Sequence, residues 1–264
     1  MVLESLFPVK SIIRKPLNML IFSAIICFIC VFIGYFVFPE YAGVIIPLFI
    51  TIVMTPLLYR IFTIEEDVER KEAEHKIDRT FMQRHDETIM IFTFFFIGNF
   101  ISIFLISLLF PESFVTSVFK PQFDTIQQIA SVSTAAVFPP MLNIIVYNNL
   151  RVMILAFFLS FLIGTGALFI LSWNASILAI YLAGFIRQGL YTEFLSKTFG
   201  ILPHAPIEIL AYFLAGIAGG ILSVGIIREN IGSKEFFLVF KDSLIMLLLG
   251  VVAVILGGFV EVYL

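Results

Sequence analysis

Charge is scarce in this sequence. Asp, Glu, Lys and Arg together make up 13% of its 264 residues, where a soluble domain carries about a quarter. That excludes a water-soluble globular protein, and the 60% hydrophobic content excludes a disordered one. The net charge of −3 gives no basic field for nucleic acid. Cysteine is limited to Cys27 and Cys30, both inside an apolar block, so a disulfide framework is excluded. Tryptophan occurs once, whereas Phe occurs 32 times, so the bulky apolar surface is built from Phe and Ile.

What is present is a series of long apolar blocks, with a mean hydropathy of +1.07. A membrane span needs roughly 20 such residues. Seven blocks read as spans, the fifth of them short: 17–38, 43–62, 89–110, 151–172, 175–188, 206–227 and 244–263. The expected fold class is an all-α, polytopic transmembrane bundle. Lys10, Arg14 and Lys15 precede the first block, which is too long for a signal-peptide core and reads as an uncleaved span. Pro47 and Pro56 should kink the second span, which neighbouring helices tolerate in a membrane.

Two stretches break the pattern. Residues 63–88 are dense in Glu, Lys and Arg, lack Gly and Pro, and offer i,i+4 pairs at Glu66–Arg70, Asp67–Lys71 and Glu72–Lys76. They read as a solvated helical hairpin or extension, with His75 and His85 facing solvent. Residues 113–147 carry Gln127, Gln128, Ser131, Ser133, Thr134 and Pro139-Pro140. A re-entrant or interfacial helix before span 4 fits them better than an eighth span. Three parts follow: two N-terminal spans in 1–62, a charged segment in 63–88, and a five-span unit in 89–264. With seven spans and a cytoplasmic N-terminus, twelve basic residues fall inside and four outside, namely Lys120, Arg151, Arg187 and Lys197.

Spans 5 to 7 are rich in small residues. Ala175, Ala179 and Ala183 repeat every four residues on span 5. Ala211, Ala215, Gly219 and Ser223 do so on span 6, with Gly216 and Gly220 beside them, and span 7 has Gly250, Ala253 and Gly257. Such faces let backbones approach closely in lipid. Spans 4 to 7 should therefore form the tight bundle, with spans 1 and 2 more peripheral.

Polar residues at membrane depth are default functional candidates. Here they are Asn148, Asn149, Arg151, Asn174, Arg187, His204 and Glu208. Arg187 lies about 18 Å along span 5, and Glu208 enters span 6 from the same side, which suggests an ion pair. That pair could line a hydrated site or simply lock two helices. His204 and Glu208 are four apart and could bind a metal or relay a proton, or His204 could cap the helix. Asn148, Asn149 and Asn174 bracket span 4, where Asn commonly caps or turns. Asn174-Ala175-Ser176 matches a glycosylation sequon at a membrane boundary and is discounted. No metalloprotease, nucleophile-elbow or phosphate-loop motif is present, so no cofactor, metal or catalytic residue is expected.

From Tyr147-Asn148-Asn149-Leu150-Arg151-Val152 onward, the chain resembles the stage II sporulation protein M family. The paired Asn precedes a span with Gly164 and Gly166, and Asn174 matches the Asn of a short turn. Pro203-His204-Ala205-Pro206-Ile207-Glu208 leads into Ala211, Ala215 and Gly216, and Glu261 lies near the end of the last span. Ala205 stands where the family has Gly, and this segment carries an additional Pro. The resemblance covers about 89–264. It implies five core spans with the last end outside, and partnership with peptidoglycan-degrading proteins in spore formers, although relatives occur in prokaryotes that make no spores.

Three functions therefore compete. The first is a non-enzymatic scaffold whose partners are the lipid bilayer, other membrane or envelope proteins, or further copies of itself. The second is a transporter or channel for a small molecule or ion, with a cavity lined by Asn148, Asn149, Arg187, His204 and Glu208. The third is an intramembrane hydrolase or lipid enzyme using His204 with Glu208 or Glu193.

Overall fold

The computed structural model describes residues 11–12, 15–75, 81–135 and 140–263. Among these it has ten helices: α1 (Leu17–Val37), α2 (Ala42–His75), α3 (Phe81–Leu109), α4 (Glu112–Val118), α5 (Lys120–Ala135), α6 (Pro140–Ile163), α7 (Ala167–Arg187), α8 (Tyr191–Ile201), α9 (Ala205–Arg228) and α10 (Lys234–Tyr263). Seven of them, α1, α2, α3, α6, α7, α9 and α10, are long and apolar enough to cross a membrane. The fold is an all-α polytopic bundle.

Helix α9 is its centre. In the apolar window of α9, 78% of residues are buried, against 22% for α6 and 50% for α2. Helix α6 keeps a large outward face but packs its other face closely on α9, and α2 is as buried as α3 and α7, so only the expected peripheral place of span 2 is corrected. Phe62 of α2 packs against Gly220 of α9, and the Thr55 and Thr165 hydroxyls share a 2.7 Å hydrogen bond between α2 and the α6–α7 turn.

Local chemistry explains the helix ends and kinks. Pro39 follows the end of α1 and cannot continue it. Pro47 removes the N–H that would bond the carbonyl of Gly43, and the side-chain amide of Gln122 in α5 donates to that carbonyl at 2.8 Å. Gly43 is needed there, since an added Cβ would lie 2.7 Å from Cδ of Pro121.

Several boundaries differ from the sequence reading. Helix α6 begins at Pro140, so residues 126–135 belong to α5 and 140–146 to α6, while 136–139 lie outside the described residues. The turn into span 5 lies at Gly164–Gly166, not at Asn174. Gly164 adopts φ +81°, a region that costs other residues a steric penalty, and the Ala167 N–H donates to the Ser160 hydroxyl at 2.9 Å. Hydropathy missed this turn because Gly-Thr-Gly is nearly neutral. The charged segment forms the ends of α2 and α3. Residues 76–80 between them, and the side chains of Glu66, Arg70, Lys71, Glu72 and His75, lie outside the described residues. Asp67 reaches across to α9, where Arg228 donates to it at 2.9 Å.

Candidate functional site

The membrane-depth polar residues that meet do so where α6, α9 and α10 converge. Helix α9 opens with His204 as N-cap, Pro206 in its first turn and Glu208 behind it. An acidic residue there complements the positive end of the helix dipole. Tyr212 lies one turn further on the same face. Asn149 of α6 is buried between them. Its amide nitrogen donates to Oε1 of Glu208 at 2.5 Å, and its amide oxygen accepts from the Tyr212 hydroxyl at 2.7 Å. Each amide group is thereby used once, in the orientation that a carboxylate acceptor requires.

Helix α10 closes the third side. A Cβ at Gly257 would lie 2.6 Å from Cγ of Glu208, and one at Gly258 would lie 2.7 Å from Val146 of α6. Glu261, one turn beyond Gly257, is within electrostatic reach of Glu208 and Tyr212. Below this junction the small residues bring main chains together. Ala211, Ala215, Gly216, Gly219 and Gly220 are buried and Ser223 is half-buried. A Cβ at Gly216 would lie 2.5 Å from Cβ of Ala167, and one at Gly219 would collide with the carbonyl of Phe157.

The other expected site residues lie elsewhere. Arg187 forms no ion pair with Glu208. It is the last residue of α7 and donates to the carbonyls of Ser107 and Phe110 at 2.6 and 2.8 Å, capping the end of α3. His204 makes no side-chain cap bond, and its carbonyl instead accepts from the N–H groups of Ile207 and Glu208. Partial burial lowers the His204 pKa below its ordinary value. Asn174 sits inside α7 and donates to the carbonyl of Ile170 at 2.8 Å. Asn148 and Arg151 are interior to α6 and exposed, facing away from Asn149.

A second polar centre lies at the opposite end of the bundle. Arg84 at the start of α3 grips Asp242 of α10 with two bonds, Nε to Oδ2 at 2.7 Å and Nη2 to Oδ1 at 3.0 Å. His85 Nε2 lies 3.2 Å from the same Oδ2. The His85 and Asp242 side chains are both 0% exposed, so the expectation of a solvent-facing His85 is corrected. Beside them, the Ser243 hydroxyl donates to the Ala218 carbonyl at 3.0 Å, joining α10 to α9. Sequence reasoning missed Tyr212 and Asp242. The Glu208–Tyr212 spacing of four was the available signal for the first, and a carboxylate opening the last apolar block was the signal for the second.

Seven apolar helices tied by buried polar contacts define a multi-pass membrane protein. The model of the family Stage II sporulation protein M matches residues 89–264, and the chain belongs to that family. An uncharacterized protein of Methanocaldococcus jannaschii is 31% identical over 119 residues, which is 43% of this chain and 50% of that relative. The aligned part thus spans about half the length of the curated relative. No solved structure matches the chain. The family match begins within α3, so α1 and α2 lie outside it.

Proposed function

We propose that this chain is a non-enzymatic membrane subunit that organises other membrane or envelope proteins, or further copies of itself, in a prokaryotic cytoplasmic membrane. Its N-terminus is cytoplasmic and its C-terminus faces outside, in keeping with twelve basic residues on one side against Lys120, Arg187 and Lys197 on the other. The observation that carries the reading is the use made of Asn149, Glu208 and Tyr212. They bond to one another across two helices and join α6 to α9. Arg187 is likewise committed to main-chain carbonyls. Polar groups used this way fix a scaffold, and the surfaces left for function are the helix ends and outward faces.

The test is the particle mass in native membranes, after extraction with a patch of surrounding lipid. The reading expects particles heavier than one 29.8 kDa chain. A uniform population of single chains contradicts it.

A second reading, ion transport, is favoured by one feature. Glu208 and Glu261 sit close together at one end of the bundle, beside Asn149. In that reading Glu208→Gln abolishes ion flux in vesicles while the fold persists. Unchanged flux rejects the role of Glu208.

A further inference from the structure

Helix α6 has two unlike faces. The buried one carries Asn149, Met153, Ala156 and Ser160. Arg151 is two residues from Asn149 and so about 200° round the helix, on the opposite side. It is exposed, as are Tyr147, Asn148, Ile154, Leu155 and Phe158. Among the described residues no side chain or carbonyl bonds to Arg151 or Asn148. Arg151 is also near the middle of its span, counted along the helix. In the span Met141–Ile163 it lies about 15 Å from one end and about 18 Å from the other, at about 1.5 Å per residue.

An arginine facing lipid at that depth is unfavourable, and membrane arginines ordinarily face a partner or a hydrated cavity. Among the described residues its own chain offers none on this face. A lipid phosphate is the poorer partner, because an extended Arg side chain gains only about 6 Å of the roughly 15 Å to the nearer end of the span. A symmetric second copy docked through α6 would bring two Arg151 side chains together, which is repulsive. A carboxylate on another helix fits the charge, the depth and the apolar surface below it, where Ile154, Leu155 and Phe158 continue the face.

We propose that the outward face of α6 docks a transmembrane helix of a different protein, which presents an Asp or Glu to Arg151. This inference rests on the scaffold reading and gives it a specific contact. Asn148 and Tyr147 supply further hydrogen-bonding groups about one turn nearer the membrane surface, so the partner helix is apolar at one end and polar toward the other.

The test uses the full chain in its native membrane. A photoreactive amino acid replaces Tyr147 or Ile154, which flank Arg151, and Phe28 on the exposed face of α1 serves as control. The proposal expects a protein adduct from positions 147 and 154 and none from 28. The cross-linked peptide should be a membrane span containing Asp or Glu. Arg151→Gln should cut the adduct at least about tenfold, and Arg151→Lys should retain part of it. Arg151→Glu, combined with Arg at the partner's acidic position, should restore it. Four results overturn the proposal: lipid adducts only, an adduct with a second copy, a partner segment without an acidic residue, or a yield indifferent to Arg151→Gln. If native particles contain other proteins while α6 contacts only lipid, this inference fails and the scaffold reading stands. Single-chain particles end both.

Discussion

Asn149 stands between Glu208 and Tyr212, giving a hydrogen bond to the first at 2.5 Å and taking one from the second at 2.7 Å. One amide thus links two side chains a turn apart on α9 to the middle of α6. The link resists being pulled apart, because no water is at hand in a bilayer to replace its bonds.

This link should show as coupling. Tyr212→Phe and Asn149→Ala each destabilise the protein, with Asn149→Ala the more harmful because it severs both bonds. In a double-mutant cycle the two effects should be less than additive, with a coupling of about 0.6 kcal/mol, the usual size for interhelical hydrogen bonds in membranes. Unfolding in mixed micelles by a denaturing detergent measures it. Strict additivity would mean that the Tyr212–Asn149 bond contributes nothing.

The glycines of α9 should differ in tolerance from those elsewhere. A Cβ at Gly219 meets main chain of α6, which cannot move aside as a side chain can, whereas a Cβ at Gly184 meets nothing within 4 Å. Gly219→Ala should cost about 1–3 kcal/mol and Gly184→Ala should be neutral or slightly stabilising. Thermal stability of the two purified variants decides it, and equal midpoints would contradict the close approach of α6 to α9.

The two ion pairs at the charged end should be of unequal worth. Asp242 is buried and serves both Arg84 and His85, while Arg228 and Asp67 are partly exposed. Asp242→Asn should destabilise by about 3 kcal/mol or more, since it removes the charge of a buried carboxylate that Arg84 grips with two bonds. Asp67→Asn should cost under about 1 kcal/mol. Comparable losses in the two variants would be inconsistent with the burial of Asp242.

Burial holds the His204 pKa below its ordinary value of 6.5. The unfolded chain therefore binds the proton more readily, and His204 makes the fold less stable as pH falls below about 6.5, levelling off below its folded pKa. His204→Gln should lose that part of the acid sensitivity. The check is the difference in melting midpoint between pH 7.5 and pH 5.5 for the two proteins, and an identical difference would show that His204 is not desolvated.

The apolar spans were legible because membrane helices must be long and uncharged, and six of the seven apolar blocks each fall on one spanning helix, while block 151–172 runs across the turn between α6 and α7. The helix register was less so. Reading the last turn before Arg187 from hydropathy alone started that span at 175, whereas α7 starts at Ala167. That displacement makes Arg187 the final residue of its helix, level with Ser107 and Phe110 and away from Glu208. Gly164 fixes the true turn by its left-handed backbone, a property that hydropathy does not record. Asn149 and Glu208 were legible as polar groups at membrane depth. Their joining through one amide was not, because it depends on α6 beginning eleven residues before Arg151. Asp242 was missed, and His85 was read as solvent-facing, because 157 residues separate them and only the packing of α3 near α10 brings them together.

The central claim is that the junction of α6, α9 and α10 is a tie between helices rather than a water-filled path. Thiol accessibility tests it directly. Cys27 and Cys30, both buried, are replaced by Ala, and single cysteines are placed at each position from Gln188 to Ser223. A membrane-impermeant thiol reagent is then applied from each side in turn. The account predicts labelling that stops near His204, with Ala211 and Ala215 unreactive from both sides. Labelling that continues along the Glu208 face to Ala215 would contradict it and make the transport reading the better one.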